Sequence, residues 1–370
     1  MKKIYTDIAG YAVKRLNKID KQVDITFTWH CENKRKDKDK GLVNLFRFKT
    51  TNLELPLLNM IKLEDKNQTI AVLAKTNEDV INIYSLFQEN NIEARYIIDR
   101  DKFKLKNIEE IVFFDEVLQT FLEDKFSFKE LHFEKSLNIL KQRFSNSNNL
   151  GLVFQIVDRF LNNFAEDYNI GSWIAYLEEL KLEDFLKFKR NIIVSTIHKS
   201  KGLEFDKVYL IANGFKNIDL DKRVLYVGMT RAKSELNILK TEKTRDEVKD
   251  FVNYIYDDKE YINSSKRFTH IMSLSDIKLG YDFTKYSKVD NLFAQVELEI
   301  GKKNSEYCLT YNNKIIAVFS KKFNKLISEK FDNGYKLKSC LLEYMVLWYD
   351  KENKKRVKHP LCKIVLERSF

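Results

Sequence analysis

Residues 191–212 read NIIVSTIHKSKGLEFDKVYLIA, two β-rich apolar runs, Asn191–Ile197 and Lys207–Ala212, joined by a short polar link. Apolar runs of this kind mark strands buried on both faces of a parallel sheet. The link within Ser195–Phe205 leaves the end of the first strand, where open α/β sheets place their ligands. It carries hydroxyl and imidazole groups at Thr196 and His198, cations at Lys199 and Lys201, a permissive backbone at Gly202 and an acceptor carboxylate at Glu204. Phosphates and sugars suit such a set.

Working outward, Ile70–Ala74 (IAVLA), a helical pattern from Thr76–Asn77 through Phe87 and a run at Ala94–Ile98 predict a strand, helix, strand unit. In Arg223–Ala232 (RVLYVGMTRA) a helix near 222–232 turns Val224, Val227 and Gly228 to the sheet and projects Thr230 and Arg231 from its end. A further helix is expected over 243–255. An amphipathic helix is expected over 3–19. Alternation at Val23, Ile25, Phe27 and Trp29, repeated at Leu42, Asn44, Phe46 and Phe48, predicts a hairpin-like pair around the solvated loop Lys34–Lys40 (KRKDKDK).

From Asp101 to Leu186, Phe and Leu recur at three and four spacing, predicting an inserted helical module that is acidic on balance. Within it Ile111–Glu116 (IVFFDE) imitates a magnesium-binding strand, but the helical period makes it an amphipathic helix and Asp115 no metal ligand. Beyond Tyr261, runs at 308–311, 315–319, 342–349 and 362–366 predict strands, with a helical segment from Lys321–Lys322 and a hairpin turn at Lys354-Lys355-Arg356.

The expected fold is α/β, a RecA-like parallel sheet with flanking helices, a helical insertion and a small β-rich C-terminal domain. Its parts are 1–100 (first part of the sheet domain, with the hairpin), 101–188 (insertion), 189–262 (rest of the sheet domain) and 263–370 (basic terminal domain).

With 370 residues, 44% apolar, 32% charged, 10 Gly and 2 Pro, neither a disordered nor a linker-rich chain fits. The net charge is +11, and 21 basic against 12 acidic residues lie between Lys266 and Phe370, so +9 of it sits in the tail. Cys31, Cys308, Cys340 and Cys362 stand far apart with no C-x-x-C, which points to neither a zinc ribbon nor a disulfide framework. No secretory leader or membrane span is evident, because charges interrupt the segment after Met1-Lys2-Lys3. A reduced, cytoplasmic protein is expected.

The pattern S-T-x-H-x-x-K-G-L-E-F followed by L-Y-V-G-M-T-R-A closely resembles motifs V and VI of superfamily 1 helicases of the UvrD, Rep and PcrA type. Ile70–Asn77 (IAVLAKTN) is similar to the strand and turn opening the core of their second motor domain, 2A, where the family often has arginine at the position of Lys75. The opening helix resembles the one after the family's motif IV, whose asparagine-tyrosine-arginine-serine is not found before it. The insertion occupies the place of a much shortened 2B subdomain, and the tail resembles the ends of some larger bacterial helicases, including RecQ-fused ones.

The resemblance implies an ATP- and Mg2+-dependent motor moving 3′ to 5′ on DNA, of which this chain matches the second RecA-like lobe. It implies Arg231 as a catalytic arginine finger, Gly202 and Glu204 beside the nucleotide with Glu204 on the ribose, and Thr196, His198, Lys199 and Lys75 on single-stranded DNA or an ss/ds junction. None of the ten glycines begins G-x-x-x-x-G-K-[ST], and Gly301-Lys302-Lys303 lacks both the upstream glycine and the hydroxyl. The isolated chain is therefore expected not to hydrolyse ATP, to hold no metal itself and to need a P-loop lobe in cis or in trans. The alternative is a non-catalytic DNA-binding or recruitment module that has kept the fold. For the tail, nucleic-acid contact and a structural cap around Tyr344, Trp348 and Tyr349 both stay open.

Overall fold

The computed structural model describes residues 41–64, 67–96, 104–122, 126–164, 168–180, 185, 192–213, 215, 219–242, 253–261, 265–286, 289 and 292–368. In chain order the elements begin with β1 (Leu42–Phe48), α1 (Glu54–Lys62), β2 (Ile70–Ala74), α2 (Asn77–Glu89) and β3 (Arg95–Tyr96). Four helices follow, α3 (Glu109–Gln119), α4 (Glu130–Arg143), α5 (Leu150–Asn163) and α6 (Ile170–Glu179). Then come β4 (Ile192–Thr196), β5 (Phe205–Ile211), α7 (Asp219–Met229), β6 (Ala232–Thr241), β7 (Asn253–Asp257) and β8 (Arg267–Ile271). The chain ends with β9 (Glu299–Lys303), β10 (Glu306–Tyr311), β11 (Lys314–Val318), α8 (Lys321–Asp332), β12 (Tyr335–Asp350) and β13 (Lys355–Arg368).

Two compact units result, residues 1–97 with 188–268 and residues 98–187 with 269–370. The first is built on a seven-stranded sheet of order β3-β4-β2-β5-β6-β1-β7, parallel throughout. All five side chains of β2 are buried, as a central parallel strand requires. Ile70, Val72 and Ala74 face a layer from α1 and α2 that includes Leu57, Ile61, Ile83 and Phe87. Ala71 and Leu73 face the other layer, with Ile197, Val224 and Met229. Thr76 starts α2 through a capping box with Asp79, which leaves the turn 74–77 at the carboxyl edge of the sheet.

In the second unit α3 to α6 close around Trp173, Phe114, Phe133 and Phe160, packed edge-on or tilted. The same unit contains a three-stranded β11-β10-β9 meander and a sheet of order β12-β13-β8. Tyr344 of β12 packs against the helical cluster, and Ile108 forms a bridge with Val346. Arg356 pairs with Glu116 at 2.6 Å, and Lys358 and Lys355 pair with Glu109 and Asp282. The basic tail therefore spends several of its cations on carboxylates of its own unit. Trp348 packs near His359, whereas Tyr349 is exposed.

Three expectations are corrected. Strand β1 is bonded in parallel on both sides, by β6 and β7, so the run 42–48 is an interior strand and not one arm of a hairpin. Residues 253–255, expected to be helical, belong to β7, and the rest of 243–255 lies outside the described residues. The reading also extends a helix to 232 and assigns no strand after it, where β6 runs through the sheet; buried Asn237 and Lys240 break its apolar run. The expectations over 3–19, 23–29 and 34–40 lie outside the described residues. Ile111–Glu116 is helical, as read, and Asp115 accepts from the Trp173 indole at 2.9 Å.

Candidate nucleotide and nucleic-acid site

Strands β4 and β5 are parallel and flank β2, so the eight-residue connection 197–204 returns from the carboxyl edge of the sheet to its amino edge. Thr196 lies level with Ala74, whereas Lys207 is already level with Ile70. At ~3.3 Å per residue the connection therefore spans roughly 15–20 Å along one face. Its ends are pinned to the two ends of β2. At the carboxyl edge, Ile197 N–H donates to the Ala74 carbonyl at 3.0 Å. At the amino edge, Thr69 donates to the Asp206 carboxylate from its hydroxyl (2.6 Å) and its N–H (2.9 Å), while Asp206 N–H donates back to the Thr69 hydroxyl. Those hydrogen bonds hold the Asp206 carboxyl below the usual range.

The candidate residues fall into two groups along this strut. At the carboxyl edge, Thr196 is buried at the end of β4, His198 is exposed in a single 3₁₀ turn, and Lys199 donates to the Asn77 amide oxygen at 3.3 Å. Lys75 Nζ lies 2.9 and 3.0 Å from the two oxygens of Asp221 and 4.9 Å from the centre of the Phe215 ring. Ser200 is buried and donates to the Ile197 carbonyl, which closes the turn.

At the amino edge, Gly202 has φ +86°, a conformation glycine adopts without steric cost, and the Glu204 side chain is exposed. Arg231 is half-buried, with Nε donating to the Val227 carbonyl at 2.9 Å, one Nη to the Leu203 carbonyl at 3.0 Å and the other to the Thr230 hydroxyl at 3.1 Å. Phe205 N–H donates to the Arg231 carbonyl. Burial raises the nearby Tyr226 phenol against the opposing charge of Arg231. Gly228 lets α7 approach the sheet, since a Cβ there would meet Leu210 at 2.9 Å and Ile197 at 3.3 Å.

The structure thus gathers Gly202, Glu204 and Arg231 at one edge, and Thr196, His198, Lys199 and Lys75 at the other. Sequence reasoning missed Asp221 and Phe215, the neighbours of Lys75. A signal for Asp221 existed, because it precedes Val224 by three and Gly228 by seven on the same helix face. Among the described residues no three His, Cys, Asp or Glu side chains stand together as a metal site, and no helix is long and apolar enough to cross a membrane.

An open parallel lobe with helices on both faces and two chemically loaded loops joined by one strut is of the RecA-like α/β class. Residues 119–243 match the family model described as the UvrD-like helicase C-terminal domain. It is 23% identical over 219 residues to DNA helicase II of Rickettsia typhi, covering 55% of this chain and 30% of that protein. It is 30% identical over 182 residues to the ATP-dependent DNA helicase Rep of Buchnera aphidicola, covering 41% and 27%. The chain thus spans under a third of the length of either relative. A solved C-terminal domain of a possible DNA helicase from a Lactobacillus aligns with 69% of this chain and 99% of its own, at 10% identity and a TM-score of 0.32.

Proposed function

We propose that the chain is the second motor lobe of an ATP-dependent DNA helicase, contributing an arginine finger and single-strand contacts and acting with a P-loop lobe. The observation that carries this reading is the pinned strut 197–204, with one candidate group at each end. The amino-edge residues fit half of a nucleotide site: exposed Glu204 suits a ribose hydroxyl, and Arg231 is a planar cation for phosphate oxygens. They lack a phosphate cradle, so the other half comes from elsewhere. When bound there, the nucleotide supplies phosphoryl-transfer chemistry, and arginine fingers contribute about 10³ to 10⁵ in rate.

In this structure the Arg231 guanidinium is spent on the Leu203 and Val227 carbonyls. Engagement of a phosphate exchanges those neutral acceptors for charged ones, which are stronger partners. The exchange frees the residue next to Glu204, and the strut carries the change to Thr196 and His198. The test is ATP turnover of the complete motor carrying Arg231→Ala. Turnover falls by at least about 10³ with DNA binding retained; unchanged turnover refutes the finger.

A further inference from the structure

The carboxyl edge carries a cavity of about 290 Å³ lined by Thr51, Asn52, Leu53, Glu54, Asp79, Ile83, Ile211 and Asn213. It lies where the loop after β1, the first turns of α2 and the end of β5 meet, and it contains none of the residues assigned above. We propose that it receives a single unstacked nucleobase of the strand gripped by Thr196, His198 and Lys75. The proposal rests on the DNA-binding part of the function proposed above.

Chemistry selects a base over a phosphate. Among the described residues no lysine or arginine lines the cavity, and Glu54 and Asp79 repel an anion. Carboxylates and amides suit the amino groups and ring nitrogens of a base edge, while Leu53, Ile83 and Ile211 offer apolar surface to a ring. The volume lies at the small end of ligand pockets, about 300 Å³, which suits one ring system and not a whole dinucleotide.

Position agrees. The end of β5 lies two strands from the end of β4, with β2 between them, so about 10 Å separates the phosphate-gripping turn from the cavity. A strand crossing the carboxyl edge from β4 toward β1 passes the cation of Lys75 first and the cavity next. Positive groups thus meet the backbone where it is held, and the acidic cavity, whose carboxylates accept from ring and amino N–H groups, meets a base.

The experiment uses the full chain and oligodeoxycytidylates carrying one abasic site at successive positions, with fluorescence anisotropy as the readout. Loss of the base at one position weakens binding about tenfold, within the range for a single stacked base. In Thr51→Trp, which fills the rim from an exposed position, that same abasic site costs less than twofold while intact oligonucleotide still binds. Asn213→Ala serves as a second variant with the same expected loss of sensitivity. Retained binding of intact strands with equal affinity for every abasic oligonucleotide overturns the cavity assignment alone. Equal abasic sensitivity in wild type and both variants also overturns it. Failure to bind any oligonucleotide overturns it together with the DNA-binding reading beneath it.

Discussion

Arg231 donates from its guanidinium to the carbonyl oxygen of Leu203 at 3.0 Å, so the helix-end arginine and the residue before Glu204 are joined. Two loops that lie 28 residues apart in sequence therefore meet at the amino edge of the sheet. The Thr69–Asp206 exchange fixes the same edge to the start of β2, and Ala74 at the end of β2 fixes the far end of the strut.

Gly228→Ala is expected to destabilise the sheet unit by about 1–3 kcal/mol, because its methyl would overlap Leu210 and press on Ile197. Chemical denaturation of the full chain checks this. A variant as stable as wild type would show that α7 does not need its close approach.

Lys75→Ala is expected to weaken single-strand binding and to reduce the slope of log affinity against log salt by about 0.7, the increment for one phosphate on a single strand. Binding isotherms at several salt concentrations measure it. An unchanged slope would mean that Asp221 holds Lys75 for structure alone.

His359 is buried in the second unit, and burial lowers its pKa to about 4 against the raising effects of the Leu279 backbone and Asp282. The unfolded imidazole titrates near 6.5, so the unfolded chain binds the proton first as pH falls. The stability tied to neutral His359 is fully present above pH ~6.5 and is lost progressively between ~6.5 and ~4, by about 3 kcal/mol at most. His359→Phe is expected to flatten that part of the stability profile, measured by urea unfolding at each pH. A variant profile parallel to wild type would contradict the assignment.

Glu110 is also buried, accepting from Ser147 at 2.5 Å, and burial raises its carboxyl pKa. A raised carboxyl contributes stability below its unfolded pKa and loses it as pH rises through the folded value. Glu110→Gln is therefore expected to be more stable than wild type at neutral pH and equal or weaker in acid. Thermal unfolding at pH 4 and pH 7.5 checks the sign.

The sequence revealed the strands best where both faces are apolar. Ile70–Ala74 and the runs beside Ser195–Phe205 could be read because every side chain of a central parallel strand is buried. Strand β6 could not, because Asn237 bonds with Asn44 across the sheet and so satisfies a polar side chain that the periodicity treats as exposed. The direction of β1 was equally hidden, since alternation gives a strand but not its partners. The candidate residues stood out as motifs, but their division between two edges follows from β2 lying between β4 and β5, which no local pattern records. The pairing of the basic tail with Glu109, Glu116 and Asp282 likewise depends on long-range folding.

The central claim is that the strut transmits nucleotide binding to the DNA grip, and Asp206 tests it because it is assigned no contact with either ligand. The measurement is single-strand affinity of the complete motor with and without a non-hydrolysable ATP analogue, in wild type and in Asp206→Ala. The account predicts a ratio of affinities in wild type of about 5 to 150, the usual range of coupling, which collapses toward one in the variant while each ligand alone still binds. An undiminished ratio in Asp206→Ala would contradict it.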